Sequence, residues 1–271
     1  GAAGGVLNIK KLPNYVGKIT KKSKYRTYYV DKNGNEKKDH LSNFVSSGIL
    51  GYYDKPDRNQ YSINNKKTKK TKKIKIPMCR TTKFTRDEVE KWEKCIPLLE
   101  EADKQFKKLV PDRHKIQLKR AKKTPKFQIK KTAFSTITIN YNFRTALHKD
   151  RGDLEEGFGN LLVLEKNKSL GNEYPEYNGG YLCFPQFEIG VDVRQGDFLA
   201  MDVHQYHANT EIYETADDKL FNSELEDVYK DNISIGTEGI DKKYTRLTFV
   251  CYLRTKLINC DIIDPDLLKK T

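Results

Sequence analysis

From Thr132 onward the chain is a succession of short apolar runs with a period near two, separated by Gly- and Asn-rich turns, and this narrows the possible folds more than any other feature. Residues 132–143, TAFSTITINYNF, alternate and are dense in Thr, Ile and aromatics, as a half-buried strand requires. Further strand candidates lie at 161–165, 180–184, 189–193, 198–203 and 246–253. Strands this short and numerous, following a helix, predict an α+β protein built on an antiparallel double-stranded β-helix, the jelly-roll or cupin arrangement, with flanking helices.

The upstream half reads differently. Residues 24–40 form a hairpin pattern turning at Asn33-Gly34, where both residues tolerate positive φ. The Thr85-x-x-Glu88 spacing predicts a capping box that opens a helix, and Val89, Trp92, Ile96, Leu99, Ala102, Phe106 and Leu109 recur at helical spacing as its core face. Pro97 is expected to kink or divide that helix. Residues 66–75, KKTKKTKKIK, hold seven lysines in ten and should stay extended and mobile by self-repulsion. The organisation expected is a tail over 1–23, with 1–5 a trimmed end, and a hairpin, lysine-rich loop and supporting helices over 24–131. A catalytic core follows over 132–257, with a net acidic insertion at 211–243, and then a tail over 258–271; 24–257 fold as one unit.

Three segments carry chemistry. In FRTALHKDRGD, residues 143–153, His148 and Asp150 are two apart, so on a strand or its end both side chains point to one face. GDFLAMDVHQYHANT, residues 196–210, leads through an apolar strand to His204 and His207. YTRLTFVCYLR, residues 244–254, sets Arg246 at the head of another apolar strand. Two imidazoles and one carboxylate make the facial set of non-heme Fe(II) oxygenases, which leaves positions for a co-substrate and dioxygen. His148, Asp150 and His207 are the expected metal ligands. His204 competes with His207; the polar Ala-Asn-Thr after His207 suits a site rim, which leaves His204 either to support a ligand from behind or to contact the substrate. A buried Arg246 can grip the distal carboxylate of 2-oxoglutarate with its planar fork, and a structural ion pair is the alternative.

The chain carries a formal charge of +14, which favours polyanionic partners, and the basic stretches 66–75 and 115–131 are the candidate DNA contacts. The five cysteines are odd in number and scattered, and are expected as reduced thiols. No run approaches the roughly 20 apolar residues that span a bilayer, and the start lacks a secretory signal pattern. These features predict an intracellular protein that is not secreted and acts where DNA is accessible, in a nucleus or a host cytoplasm.

At the three segments, together with NGGYLCFPQF (178–187), GYYD (51–54) and CRTTKFT (79–85), the sequence resembles the TET/JBP family of nucleic-acid-modifying dioxygenases, in particular its J-binding-protein thymine hydroxylase branch. The resemblance covers roughly residues 45–257. It implies an Fe(II)- and 2-oxoglutarate-dependent enzyme that uses dioxygen to oxidise the 5-methyl group of thymine or 5-methylcytosine in DNA. It also implies that His148, Asp150 and His207 bind iron and Arg246 binds the co-substrate. Hydroxylation of a protein or small molecule, and a non-enzymatic modified-base reader, are the alternatives. Asp153, five residues after His148, is the candidate reader of a flipped base, because a carboxylate accepts hydrogen bonds that either pyrimidine can donate; its other role would be to cap the turn after Gly152.

Overall fold

The computed structural model describes residues 48–54, 79–141, 145–165, 176–210, 212–224 and 246–259, with Asn33, Asn35 and the backbones of five short strands between residues 5 and 74. Seven strands come first: β1 (Gly5–Asn8), β2 (Tyr28–Val30), β3 (Glu36–Lys38), β4 (Gly48–Tyr53), β5 (Tyr61–Asn64), β6 (Thr71–Ile74) and β7 (Arg80–Thr81). Helices α1 (Lys83–Asp87), α2 (Val89–Leu109) and α3 (Pro111–Ala121) follow. The core strands are β8 (Thr136–Tyr141), β9 (Gly159–Glu165), β10 (Asn178–Gly179), β11 (Leu182–Phe184), β12 (Ile189–Asp192) and β13 (Phe198–Met201). After them come β14 (Ala208–Asn209), β15 (Ile212–Tyr213), α4 (Ala216–Glu224) and β16 (Arg246–Tyr252).

These strands make a six-stranded sheet in the order β13-β9-β16-β8-β4-β7 and a four-stranded sheet in the order β1-β12-β11-β14, both antiparallel. From β9 to β16 the chain crosses back and forth between the two sheets, which is the double-stranded β-helix the alternation predicts. Leu161 and Val163 of β9, Leu182 of β11, Val191 of β12, and Met201 and Val203 interlock between them as one buried cluster. The other face of the large sheet is also covered. Trp92, Ile96, Leu99, Ala102 and Phe106, one stripe of α2, pack on Ile137, Phe249 and Cys251.

Strands β4 and β7, from the upstream half, extend the large sheet beyond β8, so that half and the core share one sheet. Five local expectations differ from the structure. Thr85 does not cap α2; it lies within α1, where its Oγ1 accepts from the Gly51 N–H at 2.8 Å and bonds Thr82 Oγ1 at 3.1 Å. Helix α2 runs unbroken through Pro97, which faces solvent, so its ring displaces no packing and water can take the carbonyl it leaves without a partner. The break falls at Val110, and α3 opens with a proline where the missing N–H costs nothing. Within the expected mobile lysine stretch, Thr71–Ile74 pairs with Tyr61–Asn64, and within the expected tail, Gly5–Asn8 pairs with β12. Cys95, Cys183 and Cys251 are free thiols, whereas Cys79 is disulfide-bonded, against the expectation of five reduced cysteines.

Phe106 is fully buried, stacked on Phe134 at 6.2 Å between centroids and edge-on to His114 at 5.3 Å. Phe106→Ala should therefore lower the unfolding free energy by about 3–5 kcal/mol. Urea titration checks it, and a loss under about 1 kcal/mol would mean that this cluster does not hold α2 to the sheet.

Candidate active site

The site begins with a backbone pairing. His148 and His207 face each other as an isolated antiparallel bridge, each N–H donating to the other's carbonyl at 3.0 Å. Directly opposed residues share a face, so both rings turn to the same side, with centroids 4.3 Å apart. Asp150, two residues on, returns to that side, and its N–H donates to the Val203 carbonyl at 3.0 Å.

The tautomers of both rings follow from their neighbours. His148 Nδ1 lies 2.7 Å from the Ala146 carbonyl, and His207 Nδ1 lies 2.9 Å from the Gln205 carbonyl. A carbonyl only accepts, so each Nδ1 carries the proton and donates, and each Nε2 is left with its lone pair. Both lone pairs point toward Asp150, at 3.7 Å from its Oδ1 and 3.9 Å from its Oδ2. The three potential ligand atoms lie within 4.8 Å of one another, and both histidines are buried. Three electron-pair donors converging in a shielded space repel one another until a cation lies between them. The donor set suits a hard-to-borderline divalent metal such as Fe(II).

Arg246 heads β16 and is 2% exposed. Its register partners set its direction: Thr248 and Val250 lie opposite Val163 and Leu161, which face the small sheet, and Arg246 shares their side. Its guanidinium thus projects into the β-helix, where Nη2 donates to the Val193 carbonyl at 3.3 Å. Gly180, with φ of +71°, makes room, since a Cβ there would stand 3.5 Å from the Arg246 side chain and 3.2 Å from Ile212. The insertion at 211–243 thus begins against this pocket. Helix α4 docks there through Asn222, which bonds both the N–H and the carbonyl of Glu176.

The other two candidates sit apart from the cluster. His204 Nε2 lies 3.2 Å from the Leu154 carbonyl. The Asp153 backbone forms an isolated antiparallel bridge with that of Arg254, and its carbonyl accepts from Thr255 Oγ1 at 2.9 Å. The sequence reading missed Tyr53 and Asp54, which hold Arg254 beside this turn. The only signal for them was the GYYD motif itself, an acid in an apolar strand.

Residues 68–255 match the Tet/JBP family, described as the oxygenase domain of the 2OGFeDO superfamily. The bifunctional helicase and thymine dioxygenase JBP2 of Trypanosoma brucei brucei is 31% identical over 217 residues, covering 79% of this chain and 15% of that protein. The protein of the same description from Leishmania major is 32% identical over 213 residues, covering 79% and 15%. Thymine dioxygenase JBP1 of Trypanosoma brucei brucei is 29% identical over 201 residues, covering 74% and 21%. The chain thus spans only about a sixth to a fifth of the length of these relatives. A solved structure of NgTET1 in complex with 5mC DNA overlaps with a TM-score of 0.47 at 13% identity, covering 83% of this chain and 69% of that one.

If the three side chains are ligands, His207→Ala should weaken binding of Co(II), a stand-in for Fe(II), by at least about 100-fold, more than loss of an outer hydrogen-bond partner does. His204→Ala should change it by less than about threefold, since its ring is turned to Leu154. Equilibrium titration of the Co(II) absorption bands reads both, and the reverse order would transfer the ligand role to His204.

Proposed function

The chain belongs to the Tet/JBP family of iron(II)- and 2-oxoglutarate-dependent oxygenases, and from that premise we propose that it hydroxylates the 5-methyl group of a pyrimidine base in DNA. The convergence of His148, Asp150 and His207 within 4.8 Å, in a β-helix whose interior also holds the Arg246 guanidinium, carries the reading. Thymine is the first candidate base, because the relatives at about 30% identity are described as thymine dioxygenases; 5-methylcytosine is the second.

In this reading His148, Asp150 and His207 hold Fe(II) on one face. When bound, Fe(II) and 2-oxoglutarate supply the activation of dioxygen that replaces a methyl hydrogen with hydroxyl, the co-substrate leaving as succinate and carbon dioxide. The Ala146 and Gln205 carbonyls hold both Nδ1 protons and so leave both Nε2 lone pairs to the metal. Arg246 takes the distal carboxylate of 2-oxoglutarate in a bidentate pair, strengthened by its dry surroundings. Asp153 accepts a hydrogen bond from the base, at N3–H of thymine or the exocyclic amine of 5-methylcytosine, while His204 braces the turn through Leu154.

A methyl in a duplex lies in the major groove and cannot reach buried ligands, so the nucleotide must flip out, at a cost of a few kcal/mol. The basic stretches 66–75 and 115–131 hold the backbone while it does. Helix α3 lies beside the turn that follows Asp153: Gln117 Oε1 accepts from the Phe158 N–H at 2.9 Å and Arg120 Nη2 donates to the Thr255 carbonyl at 3.2 Å. Lys115, Lys119, Lys122 and Lys123 remain exposed there for phosphates. Among the described residues no helix is long and apolar enough to cross a membrane.

DNA holding both thymine and 5-methylcytosine, incubated with the protein, Fe(II) and 2-oxoglutarate, should yield 5-hydroxymethyluracil by nucleoside mass spectrometry. Succinate formation without any oxidised base, on single or double strands, would favour another substrate class. Arg246→Ala should raise KM for 2-oxoglutarate by roughly 10- to 100-fold, as loss of a charge-assisted bond of about 1.5–3 kcal/mol implies. An unchanged KM would place the carboxylate clamp elsewhere. If about five phosphates are contacted, DNA affinity should fall on the order of several hundredfold between 50 and 200 mM salt. Fluorescence anisotropy across that range reads the slope, and a flat one would remove the lysine stretches from the interface.

A further inference from the structure

The loop that carries the ligands has two main anchors, which the His204 side chain links through the Leu154 carbonyl at 3.2 Å. Its first half is tied to 203–209: His148 to His207 in both directions, Asp150 N–H to Val203, and Asn209 N–H to the Thr145 carbonyl. Its second half is tied to 253–255: the Leu154 N–H donates to Leu253 at 2.9 Å, and the Thr255 N–H donates to Gly152 at 3.0 Å. Thr255 Oγ1 adds a bond to the Asp153 carbonyl at 2.9 Å. The metal ligands lie in the first half and Asp153 in the second.

Arg254 fills the space beside this second half. Its Cζ lies 4.8 Å from the centroid of the Tyr53 ring. On Gly152 a Cβ would stand 3.0, 3.3 and 3.4 Å from its Nη2, Cζ and Nη1, so the whole guanidinium lies flat against a residue without a side chain. Its Nε donates to Asp54 Oδ1 at 2.5 Å. The side chain of Asp54 is only 1% exposed, and its Oδ2 has no hydrogen-bond partner among the described residues, so the Arg254 charge is what offsets a buried carboxylate. Tyr252, which bonds Arg254 and Thr138, is pushed up to about 12 by burial and stays a neutral hydroxyl beside the Asp153 charge.

The two upstream motifs complete the assembly. Thr85 Oγ1 of CRTTKFT accepts from the Gly51 N–H of GYYD at 2.8 Å, and the Thr82 N–H donates to the Gly51 carbonyl at 2.9 Å. Gly51, at φ of +81°, stands so close to Ser135 that a Cβ would lie 2.6 Å from its carbonyl oxygen. Ser135 Oγ in turn accepts from the Arg254 N–H at 3.0 Å.

We propose that Arg254, caged by Tyr53, Asp54 and Gly152, is a positioning residue that sets the turn bearing Asp153 on the substrate side of the ligand cluster, independently of the cluster itself. The proposal rests on the reading that Asp153 meets the base. The two anchors make it specific. Releasing Arg254 should displace Asp153 while leaving His148, Asp150 and His207 in place.

The test uses Arg254→Ala, Arg254→Lys and Gly152→Ala in the full chain; the last pushes on the guanidinium without removing a charge and guards against an Arg254→Ala that fails to fold. Hydroxylated base formed per succinate should fall by about 10- to 100-fold in Arg254→Ala and Gly152→Ala, the cost expected of an ångström-scale misplacement. KM for 2-oxoglutarate and affinity for Co(II) should stay within about threefold of the parent, less than loss of even an outer ligand partner costs. Arg254→Lys, which keeps the charge for Asp54 but not the flat fork, should recover part of the coupling. Amide hydrogen exchange should speed up at 152–155 but not at 148–150. An unchanged coupling ratio, or Co(II) affinity lost in step with it, would overturn the proposal. A parent that oxidises no pyrimidine would instead sink the function proposed above, and the exchange pattern would still decide whether Arg254 holds this turn.

Discussion

The reciprocal backbone bond between His148 and His207 is the constraint on which the site depends. It joins a loop to the strand that leads to β14 at a single point, and everything else at the cluster is measured from that point. Because the two residues are directly opposed, their rings must share a side; because Asp150 is two residues on, its carboxylate joins them. The carbonyls of Ala146 and Gln205, each two residues before one of the histidines, then fix both tautomers. A backbone arrangement thus decides the side to which three side chains turn.

That geometry is why the convergence of His148, Asp150 and His207 was legible in the sequence. The H-x-D spacing and a later histidine at a strand end are local features, and local features survive folding unchanged. Arg246 was legible for a similar reason, since a cation heading an apolar strand can face only one of two sides and the strand period says which. The fold class was legible from the same period-two pattern. The cage around Arg254 was not, because Asp54 and Arg254 are 200 residues apart and only the register of β4 on β8 and β8 on β16 brings them together. Local rules also failed where tertiary contacts overrode them. Thr85 has the spacing of a cap, yet its hydroxyl is taken by Gly51, and Pro97 should interrupt a helix whose apolar stripe holds it continuous against the sheet.

The cations divide into two populations that net charge alone does not distinguish. Arg246 and Arg254 are buried or nearly so, each held by a named partner inside the fold, while Arg113 and Arg120 lie along the α3 boundary and bond carbonyls of the turns beyond the cluster. The lysines of α3 and of the segment after it face solvent. Arginine's planar, multiply donating group suits internal wiring, and lysine's mobile point charge suits a polyanion whose sequence does not matter. Among the described residues the lysines are all at the surface, even though Arg246 and Arg254 are inside.

Strand β16 lies between β8 and β9 at the centre of the large sheet, although it follows both in the chain by more than eighty residues. Until it arrives, β8 and β9 each present an open edge to solvent and to other chains. The sheet can close only by a late, long-range insertion, the kind of step that makes folding slow and intermediates prone to aggregate. The same insertion delivers Arg246. A nascent chain that has already brought His148, Asp150 and His207 together thus still lacks the Arg246 guanidinium, and completion of this candidate site is tied in time to completion of the sheet.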